Sequence, residues 1–369
     1  MVPMYRHICA RILCLALIGV PTVAPSPADA ACGSVTCFIV IGSQQQIPQK
    51  GLLTMNVFYS LTPMTLPSGT TGVIPAVDQD RRRMILDHHQ ETRTITQTAT
   101  LDLNYGVTDR FGIEVTLPYL SRTHHHIDGL GEANGGAGNN VDFYDNGIGD
   151  LRLTAKYNLL QTLRSMLVTG VGVELPTGKY NSRDAANAVM EAPTQLGRGQ
   201  AGLIGSVYQT YEIIPHRLNQ FSFASYRHTF RNNAGYQFGD EYTLNAGFNL
   251  VTVPWLVLTQ QVNYRYLTHD NMSASLRRSA TPSDPVYPDD PIVIDPLIRD
   301  RRVPNTGSTY LAYTPGFQIN ADDTTSFYFF AQIPVARDSN NNLAQDVSFT
   351  FGLTKYFDTN AWGKKPAEG

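Results

Sequence analysis

The sequence has few cysteines, few tryptophans and few charged residues. It contains four cysteines and two tryptophans in 369 residues, and 16% of its residues are charged. Its mean hydropathy of −0.20 resembles that of a soluble protein. After the first 30 residues, no apolar run is long enough for a membrane helix. The net charge of −3 provides no basic surface, so we predict no nucleic-acid partner.

The N-terminus has the layout of a signal peptide. Two arginines and no acid precede the apolar run Ile12–Val20, which is too short to cross a bilayer. Ala28-Asp29-Ala30 supplies the small-residue pattern of a cleavage site. We therefore predict a signal peptide over residues 1–30, followed by a periplasmic segment over residues 31–50. That segment either plugs the domain that follows or forms a plain extension.

Cleavage would leave two cysteines, Cys32 and Cys37. In an oxidising compartment, such close spacing suggests a small disulfide loop. Two alternatives remain open. Cys32 is a candidate for lipid attachment, although the nearby Asp29 suits a lipid signal poorly. The two thiols are also candidate metal ligands, although no histidine lies near them in sequence. We predict no cofactor, no catalytic residues and no enzymatic activity.

The strongest strand pattern runs over residues 94–119. Apolar and polar residues alternate along Thr94–Val107, and the pattern resumes at Phe111–Tyr119 after a tight turn. One face of such a strand suits lipid and the other suits water. Similar segments occur at Leu52–Leu61, Asp150–Leu160, Met166–Leu175, Ala201–Tyr211, Phe221–Arg231, Glu241–Val251, Trp255–Leu267, Thr309–Ile319, Thr324–Val335 and Asp346–Phe357.

The connections between these segments alternate in length. Short links occur at Thr108–Arg110, Gln161–Ser165, Glu212–Gln220, Thr252–Pro254 and Asn320–Asp323. Long links occur at Thr62–Arg93, Ser121–Gly149, Pro176–Gln200, Asn232–Asp240, Thr268–Ser308 and Ala336–Gln345. Outer-membrane barrels alternate short periplasmic turns with long outer loops, whereas a soluble β-sandwich does not explain this order.

The fold class that follows is all-β. We predict a transmembrane antiparallel up-and-down β-barrel of about twelve strands over residues 51–357, with a periplasmic tail over residues 358–369. Its location would be the outer membrane of a Gram-negative-type bacterium, among outer-membrane lipids and lipopolysaccharide.

Aromatic residues near the predicted strand ends suit an interfacial girdle. They are Tyr105, Phe111, Tyr119, Tyr211, Phe221, Trp255, Tyr264, Tyr266, Tyr356 and Phe357. The last strand closes at Tyr356-Phe357, the type of ending that barrel-assembly machinery reads, so we predict that machinery as a partner.

Three short motifs resemble a known group of proteins. They are Gly147-Ile148-Gly149-Asp150 at a strand start, Leu175-Pro176-Thr177-Gly178 at a strand exit, and the ending Gly352-Leu353-Thr354-Lys355-Tyr356-Phe357. The sequence resembles the outer-membrane family named for the meta-pathway of phenol degradation. This resemblance implies a barrel that passes or binds small, often hydrophobic, compounds. It supplies no catalytic residues, and the segment Cys32–Lys50 lies outside its motifs.

The alternation of apolar and polar residues places six charged residues on the strand faces that should line the lumen. They are Asp102, Glu114, Arg152, Lys156, Glu174 and Glu241. Charges facing lipid would be costly, so these side chains should face inward, where they either select solutes or pair across a narrow interior. Histidines cluster at His88 and His89 and again at His124 and His126, in predicted surface loops. We predict no metal site there and treat these four histidines only as weak candidates, since neighbours on a flexible loop converge poorly on one ion.

The proline-rich link Thr268–Ser308 resists regular structure. It either folds inward as a constriction, projects as a binding surface or stays disordered. For the whole chain we predict an outer-membrane channel or transporter for a small-molecule solute, hydrophobic or aromatic in character. The alternative is a non-conducting surface-binding or structural barrel within a larger outer-membrane complex.

Overall fold

The computed structural model describes residues 42–128, 138–184, 187, 189–278 and 293–361. The predictions for the signal peptide, for Cys32 and Cys37 and for most of the C-terminal tail concern residues outside this part of the chain. Twelve long strands form the wall of a barrel. They are β1 (Leu52–Thr65), β3 (Arg83–Gly106), β4 (Phe111–Asp128), β6 (Leu151–Gln161), β7 (Ser165–Leu175), β8 (Gly202–Ile214), β9 (Leu218–Thr229), β11 (Glu241–Val253), β12 (Leu256–Leu267), β15 (Ser308–Asn320), β16 (Thr325–Asp338) and β18 (Ser348–Asp358).

Six further strands lie outside this wall or prolong it. They are β2 (Val73–Asp78), β5 (Asn139–Ile148), β10 (Tyr236–Gln237), β13 (Asn271–Arg278), β14 (Val293–Arg302) and β17 (Ala344–Gln345). The helices in the described part of the chain are short: α1 (Gly42–Gln45) and two 3₁₀ turns at Ala192–Thr194 and Thr359–Ala361. Among the described residues, no helix has the length and apolar composition that crossing a membrane requires.

Pairing between the first and last strands closes the barrel. β18 lies antiparallel to β1, with a continuous register from Leu52 opposite Asp358 to Leu61 opposite Phe349. Each of the other wall strands pairs antiparallel with the next one in the wall. The predicted antiparallel barrel of twelve strands is confirmed, and closure leaves no unpaired edge in lipid.

The two faces of the wall differ in chemistry as the two-residue alternation requires. Outward side chains are apolar and exposed, for example Val171 at 72%, Leu244 at 54% and Phe351 at 53%. Inward side chains are polar and buried, for example Asn56 and Asn263. Phe221 is a correction to the predicted girdle, because it faces inward and is buried.

Tight turns join the strands at one end of the barrel. They cover residues 107–110, 162–164, 215–217, 254–255 and 321–324, and all five were expected from the sequence. We call this the short-turn end, and the opposite end the long-loop end.

Three of the connections expected to be long loops contain additional strands of six residues or more, and two others contain the two-residue strands β10 and β17. β3 and β4 run far past the membrane and pair up to Gln90 opposite Ile127. β5 then returns along β4, so that residues 121–128 pair with residues 139–146, and β2 pairs with β3. β13 pairs with β14 inside the proline-rich link, although residues 279–292 are outside the described part. β13 also pairs in parallel with the extended β3, so its backbone groups find hydrogen-bond partners that the local sequence does not predict.

A buried cluster covers the long-loop end. It combines residues of β2, β3, β10 and β13 with residues of the connections β7–β8, β10–β11 and β14–β15: Val77, Met84, Ala192, Tyr236, Phe238, Met272, Ala274 and Val303. The connection over residues 176–200, which we call the inward loop, contributes Ala192 and also buries Met190 and Leu196. The described residues of the inward loop therefore pack into the long-loop end of the barrel and narrow it there.

Candidate functional site: a charged constriction in the barrel interior

A carboxylate surrounded by arginines lies below the inward loop. Glu174 Oε2 accepts a hydrogen bond of 2.8 Å from Arg152 Nε and lies 3.2 Å from Arg227 Nη1. Arg198 Nε is 3.6 Å from the other oxygen of Glu174. Arg227 also contacts Glu241 Oε2, at 2.8 Å. Ion pairs in such a buried position depend on one another, because each charge needs a partner.

Arg265 adds a further positive charge. It is buried on β12, interacts electrostatically with Glu241, and its Cζ lies 5.8 Å from the ring centre of Tyr310. We call Arg152, Arg198, Arg227, Arg265, Glu174 and Glu241 the arginine collar. Four arginines face two glutamates, so the collar carries an excess of two positive charges.

Sequence reasoning found three members of the collar and missed the three others. Arg227 and Arg265 lie on predicted strands at inward positions, so the alternation rule would have found them. Arg198 lies in the inward loop, where no periodicity exists. Its guanidinium stacks 4.7 Å from the ring centre of Phe238 and bonds Thr229 Oγ1 at 2.9 Å, contacts that only the folded loop creates.

The inward loop is anchored to the wall by buried hydrogen bonds. Arg122 Nη1 donates to the carbonyls of Pro193 and Gln195, at 2.8 and 2.7 Å. Asp150 accepts hydrogen bonds from the backbone N–H groups of Gly178 and Arg198, at 2.9 and 2.8 Å. The loop is therefore a built part of the barrel mouth.

A second charged group lies nearer the short-turn end. Lys156 Nζ is 2.8 Å from Glu114 Oε2. Asp102 accepts hydrogen bonds from Asn56 Nδ2 and Thr116 Oγ1, at 3.2 and 2.9 Å. All six charged residues nominated for the lumen thus lie inside the barrel, in two groups of mixed sign.

The N-terminal segment enters the barrel beside this second group. Asn104 Nδ2 donates to the carbonyl of Gln46 at 2.6 Å, and Lys156 Nζ bonds the carbonyl of Gln44. Ile47 packs against an inward apolar group that we call the Tyr208 patch, formed by Val168, Tyr208, Phe221, Met166 and Phe223. Gly106 lies against the backbone here: a Cβ would be 2.3 Å from the carbonyl oxygens of Pro48 and Gln49.

A smaller apolar group lies on the opposite part of the wall. Tyr328 and Phe330 are buried and pack with Phe58. We call these three residues the Phe330 patch. Other inward polar side chains bond to their neighbours on the adjacent strand, as in Ser60 with Thr350 at 2.9 Å and Asn263 with Asn245 at 2.7 Å. The inward side chains of Asn56, Asn263 and Thr314 have no exposed surface, so the described interior is tightly filled.

The histidine pairs lie on strands rather than on flexible loops. His88 and His89 belong to β3, and His124 and His126 belong to β4, beyond the apolar band that ends near Ala99 and Tyr119. The earlier objection to their convergence is wrong, because strand pairing fixes both pairs in space. The rings of His89 and His126 are 5.2 Å apart, and those of His124 and His126 are 5.1 Å apart.

Acidic neighbours set the charge of this histidine group. Burial opposes the charged form of His89, but Glu191 and Glu91 outweigh it and raise its pKa to about 9. Burial, together with the neighbouring His124 and His89, lowers the pKa of His126 to about 4. The group therefore holds charged and neutral imidazoles side by side.

A closed barrel with an apolar exterior and a charged interior defines an integral, multi-pass β-barrel protein of the outer membrane. Residues 89–277, which are 189 of the 369 residues, match the family model described as Putative MetA-pathway of phenol degradation. The chain belongs to that family. No curated protein matches the sequence.

Three solved structures are similar to this chain, and the first of them shows the same fold. An outer membrane channel from Pseudomonas putida F1 is 13% identical, with a TM-score of 0.53 over 86% of this chain and 100% of that one. The monoaromatic hydrocarbon channel CymD is 10% identical, with a TM-score of 0.39 over 84% of this chain and 89% of that one. The KdgM porin is 7% identical, with a TM-score of 0.38 over 82% of this chain and 99% of that one.

Proposed function

We propose that this protein is an outer-membrane channel for small molecules that combine an aromatic or other apolar part with a negative charge. The arginine collar is the observation that carries this proposal. Its two excess positive charges lie within the barrel, where the low local dielectric strengthens their attraction for an anion. The Tyr208 and Phe330 patches offer apolar contacts to the remainder of the solute.

The filled interior has a consequence for transport. Solute passage requires movement of the inward loop at one end and of residues 42–49 at the other. We therefore propose a narrow, gated channel. The Pseudomonas putida relative supports the barrel architecture, and the name of the family agrees with an aromatic solute. Contact with lipopolysaccharide and folding by barrel-assembly machinery remain predictions.

Planar-bilayer recording of the purified, folded protein tests the proposal. We expect small current steps and a reversal potential that favours chloride over potassium. Benzoate should reduce the chloride current, whereas benzylammonium, which has the same ring and the opposite charge, should not.

A protein that stays electrically silent would favour the alternative of a structural or surface-binding barrel. Cation preference, or equal block by both aromatic probes, would contradict the assigned selectivity.

A further inference from the structure

Two acidic side chains and an imidazole converge at the long-loop end, away from the arginine collar. Glu91 on β3 has no exposed surface, and neither of its carboxylate oxygens receives a hydrogen bond of normal geometry. His89 Nε2 lies 3.4 Å from one of these oxygens and 3.8 Å from Glu191 Oε1. A buried carboxylate in such surroundings needs a strong partner.

We propose that His89, Glu91 and Glu191 form a binding site for a divalent transition-metal ion of the zinc type. One ligand atom from each residue lies within 4.8 Å of the others. Ligands bound tetrahedrally to zinc at about 2.0–2.2 Å are about 3.3–3.6 Å from each other. The separations of 3.4 and 3.8 Å around His89 Nε2 therefore leave the space that such an ion occupies.

The donor set fits this class of metal. Imidazole nitrogen with carboxylate oxygen suits zinc and its first-row neighbours, whereas calcium and magnesium take oxygen alone. His89 would release its proton to solvent when the ion binds, and two carboxylates with the resulting neutral imidazole would balance the charge of a divalent ion.

A neighbouring histidine is oriented toward the same site. Thr94 Oγ1 bonds His124 Nδ1 at 2.8 Å, and His124 Nε2 lies 3.4 Å from the second oxygen of Glu91. A hydrogen bond on one ring nitrogen fixes the tautomer and the direction of the other, as it does around metal sites. His124 therefore holds the carboxylate of Glu91 in position from the side opposite His89 Nε2.

The site opens toward solvent on one side. A pocket of about 470 Å³ is lined by His88, His89, His126, Asp128 and Glu191, among others. A fourth ligand position can thus be filled by water or by a small anion. Because Glu191 belongs to the inward loop and His89 and Glu91 belong to the wall, the bound ion joins the loop to the barrel.

The test is a zinc titration by calorimetry of the folded mature protein in detergent, produced without a histidine tag and treated with a chelator. We expect one ion per chain. Glu91→Gln, His89→Ala and Glu191→Gln should each weaken binding about 100-fold or more, since even changes behind the ligands cost about 10–100-fold.

His125→Ala is the matched control. His125 is next to His124 on β4 but faces outward, where it bonds Asp142 at 2.6 Å, so its removal should leave zinc affinity unchanged. A difference in gel migration between unheated and boiled samples confirms that each variant is folded. The absorption spectrum of bound cobalt(II) provides a second measurement, and it should show mixed nitrogen and oxygen ligands.

Two outcomes would overturn the proposal. One is a wild-type protein with no saturable site, in which His89 serves only as the ion-pair partner of the two glutamates. The other is weak binding at several positions that Glu91→Gln and His125→Ala leave equally intact. The calorimetric result does not depend on conductance, so it stands apart from the channel proposal.

Discussion

Arg227 Nη1 lies 3.2 Å from Glu174 Oε2 in the buried interior of the barrel. The same carboxylate bonds Arg152, so one negative charge serves several guanidinium groups. This arrangement makes Glu174 the residue that balances the collar. Removing its charge should affect both stability and selectivity.

Glu174→Gln should lower the free energy of unfolding by about 3–5 kcal/mol, because breaking a buried ion pair leaves charges without compensation. It should also strengthen the preference for anions. Urea unfolding in lipid vesicles and the reversal potential measure the two effects. Glu212→Gln, near the short-turn end, is the control for loss of a negative charge. An unchanged reversal potential in Glu174→Gln would contradict the role of the collar.

Removal of residues 42–49 should increase conductance. This segment occupies the interior through the bonds from Asn104 and Lys156 and the packing of Ile47. Larger current steps without loss of the folded barrel are expected in single-channel recordings. Ile47→Asp, which places a charge against the Tyr208 patch, should have the same effect with the segment retained. Identical steps in all three proteins would show that the segment does not obstruct the path.

Gly316 and Gly205 provide a matched pair for packing. A Cβ at Gly316 would lie 2.1 Å from the ring of Phe330, whereas nothing lies within 4 Å of a Cβ at Gly205. Gly316→Ala should therefore cost about 1–3 kcal/mol of unfolding free energy, the usual range for overpacking. Gly205→Ala should be close to neutral. Equal stability of both variants in urea titrations would argue against a filled interior.

The apolar band predicts where charge is tolerated on the outer surface. Val171 is 72% exposed in the middle of β7, where lipid surrounds the barrel. Val171→Arg should cost about 2–4 kcal/mol in vesicles. Thr123→Arg faces outward on β4 beyond the band, and it should have little effect. A small effect at both positions would place the bilayer elsewhere on the barrel.

Asp270, in the connection that follows β12, should make stability depend on pH. Burial raises its pKa to about 6, even though the Tyr236 hydroxyl and the Gly239 N–H bond the carboxyl group. The folded state therefore holds this proton more tightly than the unfolded chain does. Its stabilising contribution is complete below about pH 4 and is lost as the pH rises through about 6.

Asp270→Asn keeps the shape of the side chain and removes the titration. Between pH 4 and pH 8, its unfolding free energy should gain about 3 kcal/mol relative to wild type, in proportion to the pKa shift. Urea titrations at several pH values measure this difference. A constant difference across the range would contradict the raised pKa of Asp270.

The sequence predicted the wall of the barrel because each wall strand carries its own evidence. In Thr94–Val107 a two-residue period predicts which side chains face lipid. The tight turn after it predicts that the next strand pairs antiparallel with this one. Asp102 and Arg152 could be assigned to the interior for the same reason. The free-energy cost of placing a charged side chain in lipid is a property of that residue alone, so it can be predicted before the residue's partners are known.

The long connections could not be predicted in this way. Residues 121–148 look like a polar loop, yet β4 and β5 pair there because their backbone groups find partners beyond the membrane. Arg198 and Glu191 had no local signal, since their positions depend on the path of the inward loop. These contacts join parts of the chain that are far apart in sequence, and periodicity carries no information about them.

The sequence by itself thus determined a closed barrel, its number of strands and the side of each strand that faces lipid, because these follow from the energy of single side chains in lipid or in water. The tertiary structure alone decided which charges meet, which loop enters the mouth and that His89, Glu91 and Glu191 converge. Such convergence depends on strand register and loop path, and both are set by the sum of many distant contacts.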